Sequence, residues 1–360
     1  MSRSFEPALR ARLVDAELVQ GEIPELGDNA TPWYVRLMLG IAGWIGAGFL
    51  LGLVGVGFEF VFKSETAALV IGGLLCTAAA VLFRARQESD FTSQFGLAVS
   101  FAGQALILVG LLRLFGQEPR VVAGVVMVVQ VLLFVVAPNF LHRVWSVAAG
   151  GFAVIYVLNR SGLVAFSKVI LLAAIAWIWL REFRVAVRAE AMRALGYGLV
   201  LLLLFLYVGY WGFGVSTGVW YFGAVKPPLG GQVGAWIALL LTGAVLVACV
   251  WTLLRREGVA VASQSGGAAL AGAVVLALVS LKVPGIALTG TVLLLGFAHA
   301  NRVLAGLGAA GLLLCLGFYY YALNLTLLEK SWLLMGSGVL LLVGRTGALV
   351  AARGGGPCVS

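Results

Sequence analysis

From about Gly40 onward the chain is a succession of uncharged apolar stretches, nearly every one parted from the next by a short loop carrying an arginine or a lysine. A helix that crosses about 30 Å of hydrocarbon at 1.5 Å per residue needs roughly 20 apolar residues. Stretches near that length predict spans at 37–61, 66–83, 94–112, 121–137, 143–158, 164–180, 194–211, 233–254, 266–281, 284–299, 303–321 and 329–349. That makes about twelve; ten or eleven are the other counts the pattern allows. Lipid offers the backbone no hydrogen bonds, so only helices or a closed barrel can cross it. The runs lack the alternation of barrel strands, and Leu201-Leu202-Leu203-Leu204 suits only a helix. The expected fold is all-α: a polytopic transmembrane helix bundle over 37–350, with a polar N-terminal segment 1–36 and a short tail 351–360.

Composition agrees, since 62% of residues are hydrophobic and only 11% charged. A water-soluble chain of this length would expose more apolar surface than water tolerates. The cations give the orientation. With the N-terminus inside, the cytoplasmic segments collect Arg3, Arg10, Arg12, Arg36, Arg84, Arg86, Arg143, Arg181, Arg184, Arg188, Arg193, Arg255, Arg256, Arg302, Arg345 and Arg353, sixteen of the twenty-four Lys and Arg residues. The outer loops hold Lys63, Arg113, Arg120, Arg160, Lys168, Lys226, Lys282 and Lys330. This excess predicts both termini in the cytoplasm, which requires an even number of spans. The net charge of +9 is spread over loops as insertion demands, so no nucleic-acid partner is expected.

Residues 1–36 carry mixed charge and no early apolar core, unlike a signal peptide. Phe5, Leu9, Leu13 and Val14 share one helical face, which predicts a short amphipathic helix that lies on the membrane, packs on the bundle or docks a partner. The connector from Arg181 to Arg193 divides the spans six and six, which resembles the two-half design of major facilitator transporters. The resemblance is architectural only, because the loop from Arg84 to Asp90 lacks that family's glycine and basic pattern. On the outer side, residues 212–233 are rich in glycine and aromatics, the composition of an interfacial loop, with a lid or partner surface as the alternative. Gly48 and Gly52 form a GxxxG step in the first span, and Gly308 with Gly311 sits in the eleventh; both predict close helix packing.

Ionisable groups inside a bilayer cost a few kcal/mol and persist mainly where something uses them. Glu59 is the one carboxylate well inside an expected span, and its spacing to Lys63 suits an interfacial i, i+4 pair. Gln104, Gln130 and His299 with Asn301 are the main remaining polar groups at membrane depth, expected as interhelical hydrogen bonds or span ends. His142 and His299 are the only histidines, both beside loops, and neither has a Cys, Asp or Glu at metal-ligand spacing. The four cysteines imply neither a disulfide framework nor a metal site, and no Walker loop, dinucleotide glycine pattern or nucleophile elbow appears in a suitable setting. No catalytic residue and no cofactor is expected; the chain reads as a non-enzyme.

One segment is distinctive: Tyr319-Tyr320-Tyr321-Ala322-Leu323-Asn324-Leu325-Thr326-Leu327-Leu328-Glu329-Lys330-Ser331, followed by an apolar span with Gly336 and Gly338. A paired tyrosine, then Thr, paired leucines and a Lys-Ser step opening the last helix resembles the end of a bacterial membrane family of uncharacterised function, domain-of-unknown-function family 4401, with kinship to family 2157. The resemblance implies an inner-membrane protein paired with a small membrane-anchored, single-span partner bearing a Gly-Asp-Tyr motif, hence a component of an envelope complex. It implies no reaction.

Two readings of the segment stand side by side. Structurally, Thr326 and Glu329 form a capping box while the tyrosines and Lys330 anchor at the headgroups. Functionally, Tyr319, Tyr320, Asn324, Thr326, Glu329, Lys330 and Ser331 form a polar outer corner for a ligand or for a partner's acidic segment. The alternative activity for the whole chain is transport of a small neutral or lipophilic solute.

Overall fold

In a computed structural model of the chain, the described residues are 64–84, 90–181, 189–212, 231–283 and 285–322, with scattered helical positions between 35 and 52 and between 328 and 346. Ten continuous helices run through them: α1 Glu65–Arg84, α2 Asp90–Leu114, α3 Pro119–Val136, α4 Phe140–Arg160, α5 Val164–Arg181, α6 Ala189–Gly212, α7 Gly231–Arg256, α8 Gln264–Ser280, α9 Gly285–Ala298 and α10 Arg302–Ala322. Each overlays one expected span within a few residues. Seven of them, α1, α2, α3, α4, α6, α7 and α10, are long and apolar enough to cross a membrane, while α8 and α9 are shorter, at 17 and 14 residues. The segment 1–34, the Glu59–Lys63 pair, the loop 213–230 and the tail lie outside the described residues.

The helix ends follow local chemistry. Asn139 caps α4 by accepting from the His142 amide at 3.0 Å, and Ser263 caps α8 through the Gly266 amide at 3.1 Å. Pro119 opens α3 at a position where no amide is needed. Three helices close with the same reversed turn. After α4 and α7 its left-handed residue is Gly162 (φ 80°) and Gly258 (φ 67°), but after α9 it is Ala300 (φ 50°). There Asn301 N–H reaches Gly296 O at 2.9 Å and Ala300 N–H reaches Phe297 O at 3.1 Å, which satisfies two carbonyls left over at the helix end.

Arginines close the remaining ends across helix boundaries. Arg84 donates to Val136 O at 3.2 Å and Arg143 to Phe134 O at 3.2 Å, so α1 and α3 end where α4 begins. Arg256 donates to Leu180 O, which places the ends of α5 and α7 together. At the opposite end Arg120 donates to Arg160 O at 2.7 Å. A terminal carbonyl has no partner in its own helix, and a guanidinium supplies both donors and the charge that the helix C-terminus favours. Helix by helix, Arg84, Arg143, Arg181, Arg255, Arg256 and Arg302 fall at one end of the bundle, and Arg113, Arg120 and Arg160 at the other.

The core sits in the second half of this arrangement. Ile155 of α4, Leu172, Ile175 and Trp179 of α5, Val200 and Leu202 of α6, Cys249 of α7, Leu288, Val292 and Leu295 of α9, and Leu304 of α10 form one buried cluster. Because α4 and α5, before the connector between Arg181 and Arg193, share this core with α6, α7, α9 and α10 after it, the connector does not divide the described residues into two separately packed halves.

Small residues set the closest approaches. A Cβ on Gly72 would lie 2.7 Å from the Gly103 carbonyl oxygen, and one on Gly103 would lie 2.7 Å from that of Gly72, so α1 and α2 touch backbone to backbone. Gly308 of α10 meets Leu293 of α9 in the same way, where an added Cβ would lie 2.5 Å from the leucine Cα, and Gly311 meets Thr289 and Leu204. Gly48 and Gly52 differ from this: no heavy atom of the described residues lies within 4 Å of where their Cβ atoms would be.

Candidate functional site

The expected outer corner is only partly described. Asn324, Thr326 and Lys330 lie outside the described residues, and the Thr326–Glu329 capping box with them. Tyr319 is 38% exposed and Tyr321 82%, and the Tyr320 and Tyr321 rings meet edge to face at 5.6 Å. Glu329 and Ser331 are exposed, as are Leu328 and Trp332. The tyrosines close α10, which starts beside the start of α6, where Tyr197 Oη donates to Asn301 Oδ1 at 2.9 Å. Twenty-one residues of helix rise about 31 Å. Tyr319 and Tyr321 therefore stand at the end of the bundle opposite Arg181 and Arg256.

A second cluster joins α2, α3 and α4. Asn139 caps α4 and also donates from Nδ2 to Ser93 Oγ at 2.8 Å, which docks the start of α4 on α2. One turn on, the fully buried His142 places Nε2 2.7 Å from Ser100 Oγ and Nδ1 3.4 Å from Ser146 Oγ. Gln104 lies one turn beyond Ser100 on the same face of α2. Its Nε2 is 3.2 Å from Ser100 Oγ and 3.4 Å from His142 Nε2, while its Oε1 accepts from Gln130 Nε2 at 2.9 Å and from Trp145 Nε1 at 3.1 Å. Phe101 packs against Trp145 at 4.8 Å and Trp44 at 5.6 Å, and Trp44 donates to Gln94 Oε1 at 3.2 Å.

The donors in this cluster have one consistent direction. Indole nitrogen only donates, so the Gln104 atom that meets Trp145 is the carbonyl oxygen and its amide nitrogen faces Ser100 and His142. That nitrogen also only donates, so His142 Nε2 is an acceptor and receives the Ser100 hydroxyl proton. His142 is then a neutral imidazole with its proton on Nδ1, toward Ser146. Gln130 must present its amide nitrogen to Gln104, which leaves Gln130 Oε1 buried and without a partner among the described residues. The chain of bonds ends on an acceptor with spare capacity.

The expectation of interhelical hydrogen bonds at Gln104 and Gln130 matches this geometry. His142, which the sequence places beside a loop, stands instead at the centre of the network. A sequence signal exists: Ser93, Ser100 and Gln104 fall at i, i+7, i+11 on α2, opposite His142 and Ser146 at i, i+4 on α4. His299 donates from Nδ1 to Leu295 O at 2.9 Å, and Asn301 caps α10 through the Leu304 amide at 3.1 Å, so both serve a helix junction. Among the described residues no group of His, Cys, Asp and Glu could hold a metal ion, and Cys76, Cys249 and Cys315 are buried and in no disulfide.

The model of the family described as a domain of unknown function, DUF4401, matches residues 32–349. The chain belongs to this family. No curated protein and no solved structure matches the chain. Family membership and the apolar helices together make it a membrane protein of the DUF4401 family.

Proposed function

We propose that this DUF4401 protein is a non-enzymatic, multi-pass component of an envelope complex in the bacterial inner membrane. Its outer corner, at the end of α10, binds a small single-span partner with an acidic Gly-Asp-Tyr segment. The observation that carries this reading is the exposed aromatic end of α10, where Tyr319 and Tyr321 stand at the end remote from the arginine-rich face. Phenol rings there offer apolar faces to a neighbouring helix and hydroxyls to an acidic chain. The arginine excess at the other end supports a cytoplasmic assignment for that face.

The test is copurification in mild detergent from native membranes, with a photo-crosslinking residue at position 321. A single-span protein joined to position 321 supports the reading. Lys330→Ala is expected to weaken capture without lowering the amount of inserted protein. Recovery of the chain alone, with no crosslinked product, overturns it.

A second reading is transport of a small neutral solute, favoured by the uncharged Ser100–Gln104–Gln130–His142 network and its spare acceptor. Gln130→Leu would then abolish uptake while leaving the inserted level unchanged. Uptake into vesicles at the same rate for the wild type and Gln130→Leu removes this reading.

A further inference from the structure

Three arginines lie where α5 and α7 end side by side. Arg256 donates to the Leu180 carbonyl, which fixes the two helix ends against each other. Arg181 follows Leu180 directly and stacks on Trp177, with its guanidinium carbon 4.7 Å from the ring centroid. Arg255 precedes Arg256 and stacks on Trp251 at 4.0 Å. The two indoles are 53% and 41% exposed. Exposed indoles near helix ends settle at the headgroup level, and a cation held over each ring is kept at that depth. Stacking uses the face of a guanidinium, whereas phosphate is recognised by its in-plane N–H fork.

Charges of the opposite sign are also present. Exposed Glu257 follows Arg256, and two helix C-termini each bring about half a negative charge. Among the described residues three arginines outweigh these and leave about one positive charge at the junction, and in the sequence Glu182 after Arg181 is matched by Arg184. We propose that Arg181 and Arg255, stacked on Trp177 and Trp251 at the helix ends that Arg256 joins through the Leu180 carbonyl, form a binding site for the phosphate headgroup of an anionic phospholipid. The indoles distinguish a lipid from a free anion, because their exposed apolar rings lie where acyl chains begin. Basic sites between helices at a membrane face bind such headgroups through the same chemistry.

The test uses the full chain in phosphatidylcholine nanodiscs, with phosphatidylglycerol as probe and the melting temperature as readout. Phosphatidylglycerol is expected to raise the melting temperature of the wild type, and inorganic phosphate to leave it unchanged. The Arg181→Gln/Arg255→Gln double variant is expected to need on the order of tenfold more phosphatidylglycerol for half of that rise. Arg160→Gln, at the opposite end, should respond as the wild type does. An unchanged lipid response in the double variant overturns the proposal, and so does an equal rise with inorganic phosphate. If the double variant does not fold, native mass spectrometry of Arg181→Lys and Arg255→Lys decides: retained phosphatidylglycerol should fall in each, and wild-type retention in both rejects the site.

Discussion

The hydrogen-bond directions around His142 make Gln104 and Gln130 unequal, which a pair of leucine substitutions can measure. Gln104→Leu removes the acceptor used by Trp145 and Gln130 and the donor to Ser100 and His142. Interhelical hydrogen bonds in a membrane average about 0.6 kcal/mol each, and a buried amide left without its partner costs about 1–3 kcal/mol more. With these bonds lost and the Gln130 amide stranded, the expected cost is about 2–4 kcal/mol. Gln130→Leu loses one such bond but also removes a buried acceptor that has no partner among the described residues. The two effects oppose each other, so the expected change is within about 1 kcal/mol of zero. Unfolding of the purified protein in mixed micelles over a range of SDS fractions would measure both. A Gln130→Leu protein destabilised as much as the Gln104→Leu protein would refute the assigned directions.

Three further outcomes are expected from the same denaturation assay. Ala300→Gly should stabilise by up to about 1 kcal/mol, since alanine carries a penalty at φ 50° that glycine does not; a loss of stability would count against the turn described after α9. Gly308→Val should cost more than about 2 kcal/mol because its side chain meets the α9 backbone, whereas Gly48→Ala should change stability by less than about 0.5 kcal/mol. Similar losses for those two glycines would contradict the packing of α10 on α9. Asn139→Ala should cost about 1–2 kcal/mol and exceed Ser263→Ala, since Asn139 both caps α4 and holds Ser93 of α2; equal losses would argue against that double role.

Helix positions were largely legible in the sequence. Apolar runs flanked by arginines placed 66–83 against Glu65–Arg84 and 303–321 against Arg302–Ala322. The start of α4 shows where such reading stops. His142 and Arg143 lower the local hydropathy, so the expected span began at 143, yet the Asn139 cap starts the helix earlier and carries His142 inside. Which polar residues meet is set by how α2, α3 and α4 pack, and hydropathy carries no information on that. The connector from Arg181 to Arg193 is silent for a similar reason, because a long polar connector is compatible with a core shared by the helices on either side of it. At the outer corner Tyr319 and Tyr321 are exposed while Tyr320 is half-buried, a difference that hydropathy, which reads three adjacent tyrosines alike, does not carry.

Helix α9 is 14 residues long, a rise of about 21 Å, against a hydrocarbon layer of about 30 Å. Most of its residues are buried, so neighbouring helices rather than lipid surround it. A helix this short cannot carry its own ends to the headgroups, so it relies on its neighbours, among them Tyr197 reaching Asn301 at one end, to keep hydrocarbon away from its terminal backbone groups.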